Sequence, residues 1–269
     1  MELTRTAVQY FDRPLESLNN TQLAALTRLQ TWIRGHMSLF FPSTPPASPT
    51  SLDTIFPESS MRTLWTHISV LFFGFDIPHR SSHFRWGTPT SLKYKDAVGN
   101  DQDAIGLAFR RGFRYNIAMV PSLDCFLMVG VLLHEICHIF FTYHACLDCW
   151  STRWNLHTQG HGRAWQILAS AMERKFTEFT GLPTSLSHFH SLRALWHTCW
   201  PLPSIHDLVD WQLDREALMR FYKLNLETAV LLYVGQGAKV EDFPLRGFSE
   251  YWWVDTEQAE QLVREEIGG

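Results

Sequence analysis

Apolar residues recur at helical spacing in the N-terminal part of the chain. Between residues 20 and 41 they stand three or four positions apart, which predicts an amphipathic helix that Asn20 or Thr21 would cap. The next ten residues, 42–51, contain four prolines and predict a linker or an extended surface loop. A second apolar helix is expected near residues 60–74.

The hydrophobic period shortens in the middle of the chain. Residues 83–120 are typical of β-structure, because apolar side chains there alternate with polar or small ones. Two such runs, 105–110 and 113–120, flank Arg111-Gly112, which is a turn signal. This segment therefore predicts at least one antiparallel hairpin.

The most apolar segment of the chain follows this β-structure. Residues 123–145 predict a helix whose start is favoured by Ser122 as N-cap and by Asp124 in the first turn. The helix carries apolar side chains on nearly all of its faces, so we expect it to be buried. Another amphipathic helix is expected to open near His161 and to stop at Gly181.

The remaining chain is predicted to be mainly helical, with one helix over residues 214–234. These patterns divide the chain into three parts. Residues 1–59 form an N-terminal helix and a proline-rich linker, residues 60–195 form an α+β domain, and residues 196–269 form a mainly helical C-terminal extension.

Composition narrows the classes of function. With 269 residues, of which 45% are hydrophobic, the chain can bury a sizeable core, and its net charge of −4 is unlike that of a general nucleic-acid binder. The cluster of Arg110, Arg111 and Arg114 is either solvated hairpin surface or a local DNA-facing patch. The first 19 residues lack an apolar signal core, no run of 18 apolar residues occurs, and there are five cysteines. We therefore expect an intracellular protein of the nucleus or cytoplasm, neither secreted nor bound to a membrane.

The apolar helix carries a compact group of metal-ligating side chains, His134-Glu135-Ile136-Cys137-His138. Two histidines four positions apart lie on the same side of a helix, so their imidazoles can bind one zinc ion. Glu135 is placed to act as a general base toward water. Burying these groups without a partner would cost on the order of several kcal/mol, and a metal ion is the simplest compensation. The sequence therefore predicts a zinc site with His134 and His138 as ligands and Glu135 as the catalytic residue.

The third zinc ligand is expected to be His161. Its neighbours Gly160 and Gly162 allow the backbone to approach the metal closely, and Trp165, four residues later, lies on the packed face of the following helix. Three histidines would leave one coordination position for water, which distinguishes a catalytic zinc site from a structural one.

Other candidates for the third ligand stay open. His144 follows His138 on the same helix but points in another direction. His157 and Asp148 precede the next helix, and Glu173 lies on it. A glutamate-type zinc site would use the position of Glu173.

The motif from His134 to His138, followed by Gly160-His161-Gly162 and Trp165, resembles the SprT-like, or Spartan-type, family of zinc metallopeptidase domains. The resemblance covers about residues 60–195. It implies an α+β, zincin-like metalloprotease domain with a small, antiparallel-rich sheet beside the HExxH helix. It also implies one catalytic Zn²⁺ and hydrolysis of a protein or peptide substrate. Spartan-type members cleave proteins crosslinked to DNA, so the resemblance further implies a contact with DNA.

The chain departs from this family in its cysteines. The family often carries a C-terminal zinc ribbon with two CxxC pairs, whereas Cys146 and Cys149 form the single CxxC pair here and lie between the two predicted ligand helices. A second metal at these cysteines is therefore an open question.

Two further classes of function compete with a protease. The zinc could serve stability alone, as in a DNA-associated scaffold, or it could serve a hydrolase or lyase that acts on a small molecule. A deep pocket lined by tryptophans would favour the small molecule, and an open groove beside an edge strand would favour a peptide.

Overall fold

The computed structural model describes residues 1–42, 51–74, 82–88, 90–95, 101–145 and 160–187, together with Ser191 and Trp211. The chain divides into two compact units, Met1–Thr198 and Cys199–Gly269. Apart from Trp211, the predicted C-terminal extension, including the helix over residues 214–234, lies outside the described residues.

The first unit is an α+β structure that combines helices with a small mixed sheet. In chain order, its described helices are α1 (Glu2–Phe11), α2 (Asn20–Gly35), α3 (Met37–Phe40), α4 (Leu52–Ile55), α5 (Glu58–Phe73), α6 (Cys125–His144) and α7 (Arg163–Thr180). Its described strands are β1 (Ser82–Trp86), β2 (Lys93–Lys95), β3 (Asp101–Asp103), β4 (Gly106–Arg111) and β5 (Arg114–Met119). A short 3-10 turn, Leu15–Ser17, separates α1 from α2.

Three strands form the main sheet in the order β1-β5-β4. The predicted hairpin is present, because β4 and β5 pair antiparallel around a turn at Gly112 and Phe113. β1 instead pairs parallel to β5, so the sheet is mixed and less antiparallel than expected. β2 and β3 form a separate two-stranded antiparallel ribbon. Within the described residues, β4 is an edge strand of the main sheet.

Helix α6 lies at the centre of the core, as its apolar sequence predicts. It packs against β4, β5, α5 and α7, and its residues Leu132, Leu133 and Ile136 are completely buried. This helix is also long and apolar enough to cross a bilayer by length and composition, and 72% of that apolar window is buried inside the protein. Burial of this kind is what the core helix of a folded domain shows.

Three helix ends differ from the sequence prediction. α2 begins after Asn19, which forms a capping box with Gln22, and it ends at Gly35 where the pattern predicts a helix to residue 41. The ring Nδ1 of His36 lies 2.7 Å from the carbonyl oxygen of Trp32 and so satisfies one of the last carbonyls of α2. Asp124 rather than Ser122 caps α6, with its carboxylate accepting from the backbone N–H of residue 127.

Helix α1 has no counterpart in the sequence prediction, and polar contacts fasten it to α7. Arg174 donates to Asp12 at 2.5 Å, and the buried Lys175 ammonium donates to the carbonyl oxygen of Arg13 at 3.1 Å and to Glu178 at 2.8 Å. These pairs keep a buried charge compensated. They also fix α7, which begins two residues after His161.

Candidate metal centre

Three histidine side chains converge in the core of the first unit. His134 and His138 lie one turn apart on α6, with their Nε2 atoms separated by 3.2 Å. His161 enters from the loop before α7, and its Nε2 atom lies 2.9 Å from that of His134 and 3.0 Å from that of His138. The structure therefore brings together the three histidines that the sequence singled out, in a cluster that could hold a metal ion.

Two local features bring His161 to this position. Gly160 has a φ of +75°, which favours glycine, and a β-carbon at this residue would lie 3.1 Å from Nδ1 of His138. Gln166, in the first turn of α7, donates to the carbonyl oxygen of His161 at 3.2 Å. The loop can thus pass directly over the second histidine, as the paired glycines predict.

The indole of Trp165 covers one side of the cluster. Its ring centre lies 4.6 Å from the ring of His134, 5.7 Å from that of His138 and 4.8 Å from that of His161, and the side chain is completely buried. Because the apolar ring excludes water from that side, the imidazoles are held in a medium of low polarity. The sequence prediction that Trp165 lies on the packed face is confirmed.

One hydrogen bond determines the tautomer of the first histidine. Nδ1 of His134 lies 2.9 Å from the carbonyl oxygen of Leu186. A carbonyl can only accept, so Nδ1 carries the proton and Nε2 presents its lone pair to the other two rings. Nδ1 of His161 is buried without a hydrogen-bond partner among the described residues.

Burial keeps all three imidazoles neutral. It lowers the pKa of His134 to about 4, against a smaller opposing effect of the hydrogen bond to Leu186. Burial likewise lowers the pKa of His138 and of His161 well below the usual range, and the neighbouring histidines add to the effect. Neutral imidazoles are the form that binds metal ions.

The donor set fits a transition-metal ion. Imidazole nitrogens suit zinc, copper, iron and nickel, and zinc takes nitrogen ligands at about 2.0–2.1 Å. Three Nε2 atoms that stand 2.9–3.2 Å apart, with the lone pair of His134 aimed at the other two rings, match such a ligand set. A cation would satisfy lone pairs that water cannot reach from the side covered by Trp165.

Glu135 lies next to the cluster without belonging to it. Its side chain faces β4, where a β-carbon on Gly106 would come within 2.9 Å of its carboxyl oxygen. The backbone N–H of Ala108 donates to the carboxyl group. Burial raises the pKa of Glu135 to about 8, and the Ala108 hydrogen bond opposes this rise. A carboxyl group that titrates near neutrality can accept and return a proton.

The structure places the other candidate ligands away from the cluster or does not describe them. Glu173 accepts a hydrogen bond from the backbone N–H of Leu186, and His144 packs against Phe140 with ring centres 5.0 Å apart. Asp148 and His157 lie outside the described residues, as do Cys146 and Cys149. Within the described part of the chain, no fourth histidine, cysteine or carboxylate joins the three rings.

Sequence reasoning missed the backbone partner of His134. The carbonyl of Leu186 is 52 residues away along the chain, and no side-chain pattern marks it. The sequence does contain one signal of a close backbone approach. Gly130 interrupts an otherwise apolar helix, and a glycine inside a helix lowers its stability. A β-carbon at Gly130 would lie 2.3 Å from the carbonyl oxygen of Ser185.

No protein-family model matches this chain, and neither a curated protein nor a solved structure is found that matches it. The fold and the site therefore define its class by themselves. It is an α+β protein whose central helix and a following loop bring three half-buried histidines together in a cluster that could hold a metal ion.

Proposed function

We propose that this protein is a zinc-dependent metallopeptidase of the SprT-like kind, with a zincin-like catalytic domain. The observation that carries the proposal is the convergence of three imidazole nitrogens beside the buried carboxyl group of Glu135, whose pKa is raised by burial. His134, His138 and His161 would hold the metal ion. When bound, a zinc ion supplies a Lewis acid that polarises a carbonyl group and makes water more acidic.

The protein's own groups account for the proton transfers. Glu135 takes a proton from the attacking water and delivers it to the leaving amine, a role that suits a carboxyl group with a raised pKa. The Ala108 N–H holds the carboxyl group against β4. The His134 hydrogen bond to Leu186 keeps Nε2 free of a proton.

An edge strand beside the site supports a peptide substrate. The N–H of Val120 donates to the carbonyl oxygen of Ile105, so alternation along β4 turns the backbone groups of Gly106, Ala108 and Arg110 away from β5. This outer edge faces Glu135, since Ala108 donates to its carboxyl group. An extended peptide that pairs with β4 would therefore pass next to the histidines.

The number of ligands supports a catalytic rather than a structural ion. Structural zinc sites are closed by four protein ligands, whereas catalytic sites use three and leave one position open. Among the described residues the cluster contains three histidines and no fourth ligating side chain.

We further propose that the turn between β4 and β5 contacts single-stranded DNA near the substrate. Phe113 at this turn is 88% exposed, and Arg110, Arg111 and Arg114 are exposed beside it. Arginines attract the phosphate backbone, and an exposed aromatic ring offers a surface on which a base can stack.

The decisive experiment combines metal analysis with a casein cleavage assay, with and without single-stranded DNA. We expect one zinc ion per chain, and Glu135→Gln should retain that zinc while losing on the order of 10²–10⁴-fold in turnover. Glu16→Gln is the matched control, because this exposed carboxylate lies on the 3-10 turn between α1 and α2 and should not affect cleavage.

Equal cleavage by the wild-type protein and Glu135→Gln under every condition would contradict the protease. Stoichiometric zinc without any Glu135-dependent cleavage would favour a purely structural ion. Turnover of small esters or amides in place of casein would favour the small-molecule hydrolase.

A further inference from the structure

The segment that follows α7 folds back across α6. Gly181, with a φ of +72°, ends α7, and we call residues 182–187 the strap. Its apolar side chains Leu182 and Leu186 are buried, at 2% and 1% exposure. The strap is therefore anchored in the core.

Gly130 lets the strap come close to α6. A β-carbon at this residue would lie 2.3 Å from the carbonyl oxygen of Ser185, a distance that no side chain tolerates. Gly130 precedes His134 by one helical turn, and the next carbonyl of the strap, that of Leu186, accepts from Nδ1 of His134 at 2.9 Å. The close approach at Gly130 thus brings the strap within reach of the histidine.

The backbone N–H of Leu186 is held by a glutamate. A carboxyl oxygen of Glu173, on α7, accepts from the backbone N–H of Leu186 at 2.6 Å. Ser187, the next residue, has a φ of +59°, which is uncommon for a residue with a side chain, and its N–H donates to the hydroxyl of Ser185 at 3.2 Å. Leu186 is therefore fixed between Glu173 on one side and His134 on the other.

We infer that Glu173 is a positioning residue for the metal centre, acting on His134 through the backbone of Leu186. The inference rests on the metal centre of the proposed function and does not depend on what that centre cleaves. The N–H and the carbonyl of Leu186 belong to different peptide groups. Glu173 consequently acts by fixing where the carbonyl lies and not by polarising it.

This assignment gives Glu173 a role other than the direct ligation that its place on α7 left open in the sequence. The hydrogen-bond partner of a ligand histidine sets the ring's orientation and its tautomer, so a carboxylate that holds this partner in place acts on both. Loss of such partners weakens metal affinity by roughly 10–100-fold.

The test compares Glu173→Met, which removes the acceptor, with Glu173→Gln, which keeps an acceptor oxygen. Zn²⁺ affinity is measured in the full-length protein by competition with a chelating dye. The dissociation constant should rise roughly 10–100-fold in Glu173→Met and less than about tenfold in Glu173→Gln. The controls Glu16→Met and Glu16→Gln make the same changes at an exposed carboxylate on the 3-10 turn between α1 and α2, and should leave Zn²⁺ affinity unchanged.

A second measurement needs no stable variant at position 173. In metal-free wild-type protein, long-range ¹H–¹⁵N spectra, assigned with His134→Asn, should show His134 protonated at Nδ1. In Glu173→Met the Nδ1–H form should lose its dominance, and Glu173→Gln should restore it.

Unchanged zinc affinity in a folded Glu173→Met protein would overturn the inference, and so would an Nε2–H tautomer in the wild-type protein. A wild-type protein that fails to cleave casein, combined with weakened zinc binding in Glu173→Met, would contradict the proposed protease and support the positioning role. If the wild-type protein cleaves casein and Glu173→Met keeps full zinc affinity, the protease is supported and the positioning role of Glu173 is contradicted.

Discussion

Replacement of Gly130 by alanine tests how closely the strap packs on α6. The new β-carbon would lie 2.3 Å from the carbonyl oxygen of Ser185, whereas ordinary contact begins at about 3.4 Å, so the strap must retreat by about 1 Å. The same shift would stretch the 2.9 Å contact between His134 and Leu186 beyond hydrogen-bond length.

The expected loss of stability follows from three opposing contributions. Overpacking costs about 1–3 kcal/mol, and the lost hydrogen bond costs about 0.5–1.5 kcal/mol. Alanine in place of a helical glycine returns up to about 1 kcal/mol. We therefore expect Gly130→Ala to lower the free energy of unfolding of the metal-free protein by about 2 kcal/mol and to weaken Zn²⁺ binding.

Urea unfolding in the presence of a chelator measures the stability, and dye competition measures the Zn²⁺ affinity. Gly35→Ala is the matched control, because this last residue of α2 has no atom within 4 Å of the added β-carbon. The control should gain up to about 1 kcal/mol and bind zinc normally. If Gly130→Ala is stabilised to the same degree and binds zinc as the wild type does, the strap does not pack against α6 as described.

Three other predictions concern the loop, the metal and the hairpin turn. Gly160→Ala and Gly112→Ala both introduce a side chain at positive φ and should each lose about 1–2 kcal/mol in urea unfolding, but only Gly160→Ala should also weaken Zn²⁺ binding. Zn²⁺ at a hundred times its dissociation constant should stabilise the wild-type protein by about 2.7 kcal/mol and His161→Ala far less, and an equal rise in melting temperature would count against the three-histidine site. Phe113→Ala should weaken single-stranded DNA binding at least about fivefold, and Arg111→Gln should reduce its salt dependence, both by fluorescence anisotropy; unchanged affinity and salt slope would exclude the turn from a DNA contact.

The helices that build the site could be predicted closely from the sequence. The patterns at residues 60–74 and 123–145 correspond to α5 (Glu58–Phe73) and α6 (Cys125–His144), within two residues at each end. Long apolar stripes that must be buried specify such helices strongly. Gly181 ends α7 in the left-handed conformation that its sequence predicts.

Elements whose formation depends on distant partners were harder to predict. Helix α1 is short, and the polar contacts that hold its C-terminal end to α7 run from Asp12 and Arg13 to residues about 160 positions away along the chain. The parallel pairing of β1 with β5 likewise joins segments that are more than 30 residues apart. Neither partner leaves a local signal, because side-chain periodicity reports which face is buried and not what covers it.

The sequence by itself determined that His134 and His138 share one face of a helix, because 3.6 residues per turn bring positions four apart together. It also determined that Glu135 stands beside them and that glycines flank His161. Only the tertiary structure decided which side chain joins the two histidines, because α6 and α7 meet across a long connection through packing and not through spacing. It also decided that the carbonyl of Leu186 orients His134. Glu173 holds Leu186 and Gly130 leaves room for the strap, and a backbone carbonyl from 52 residues away is brought to the site by packing alone.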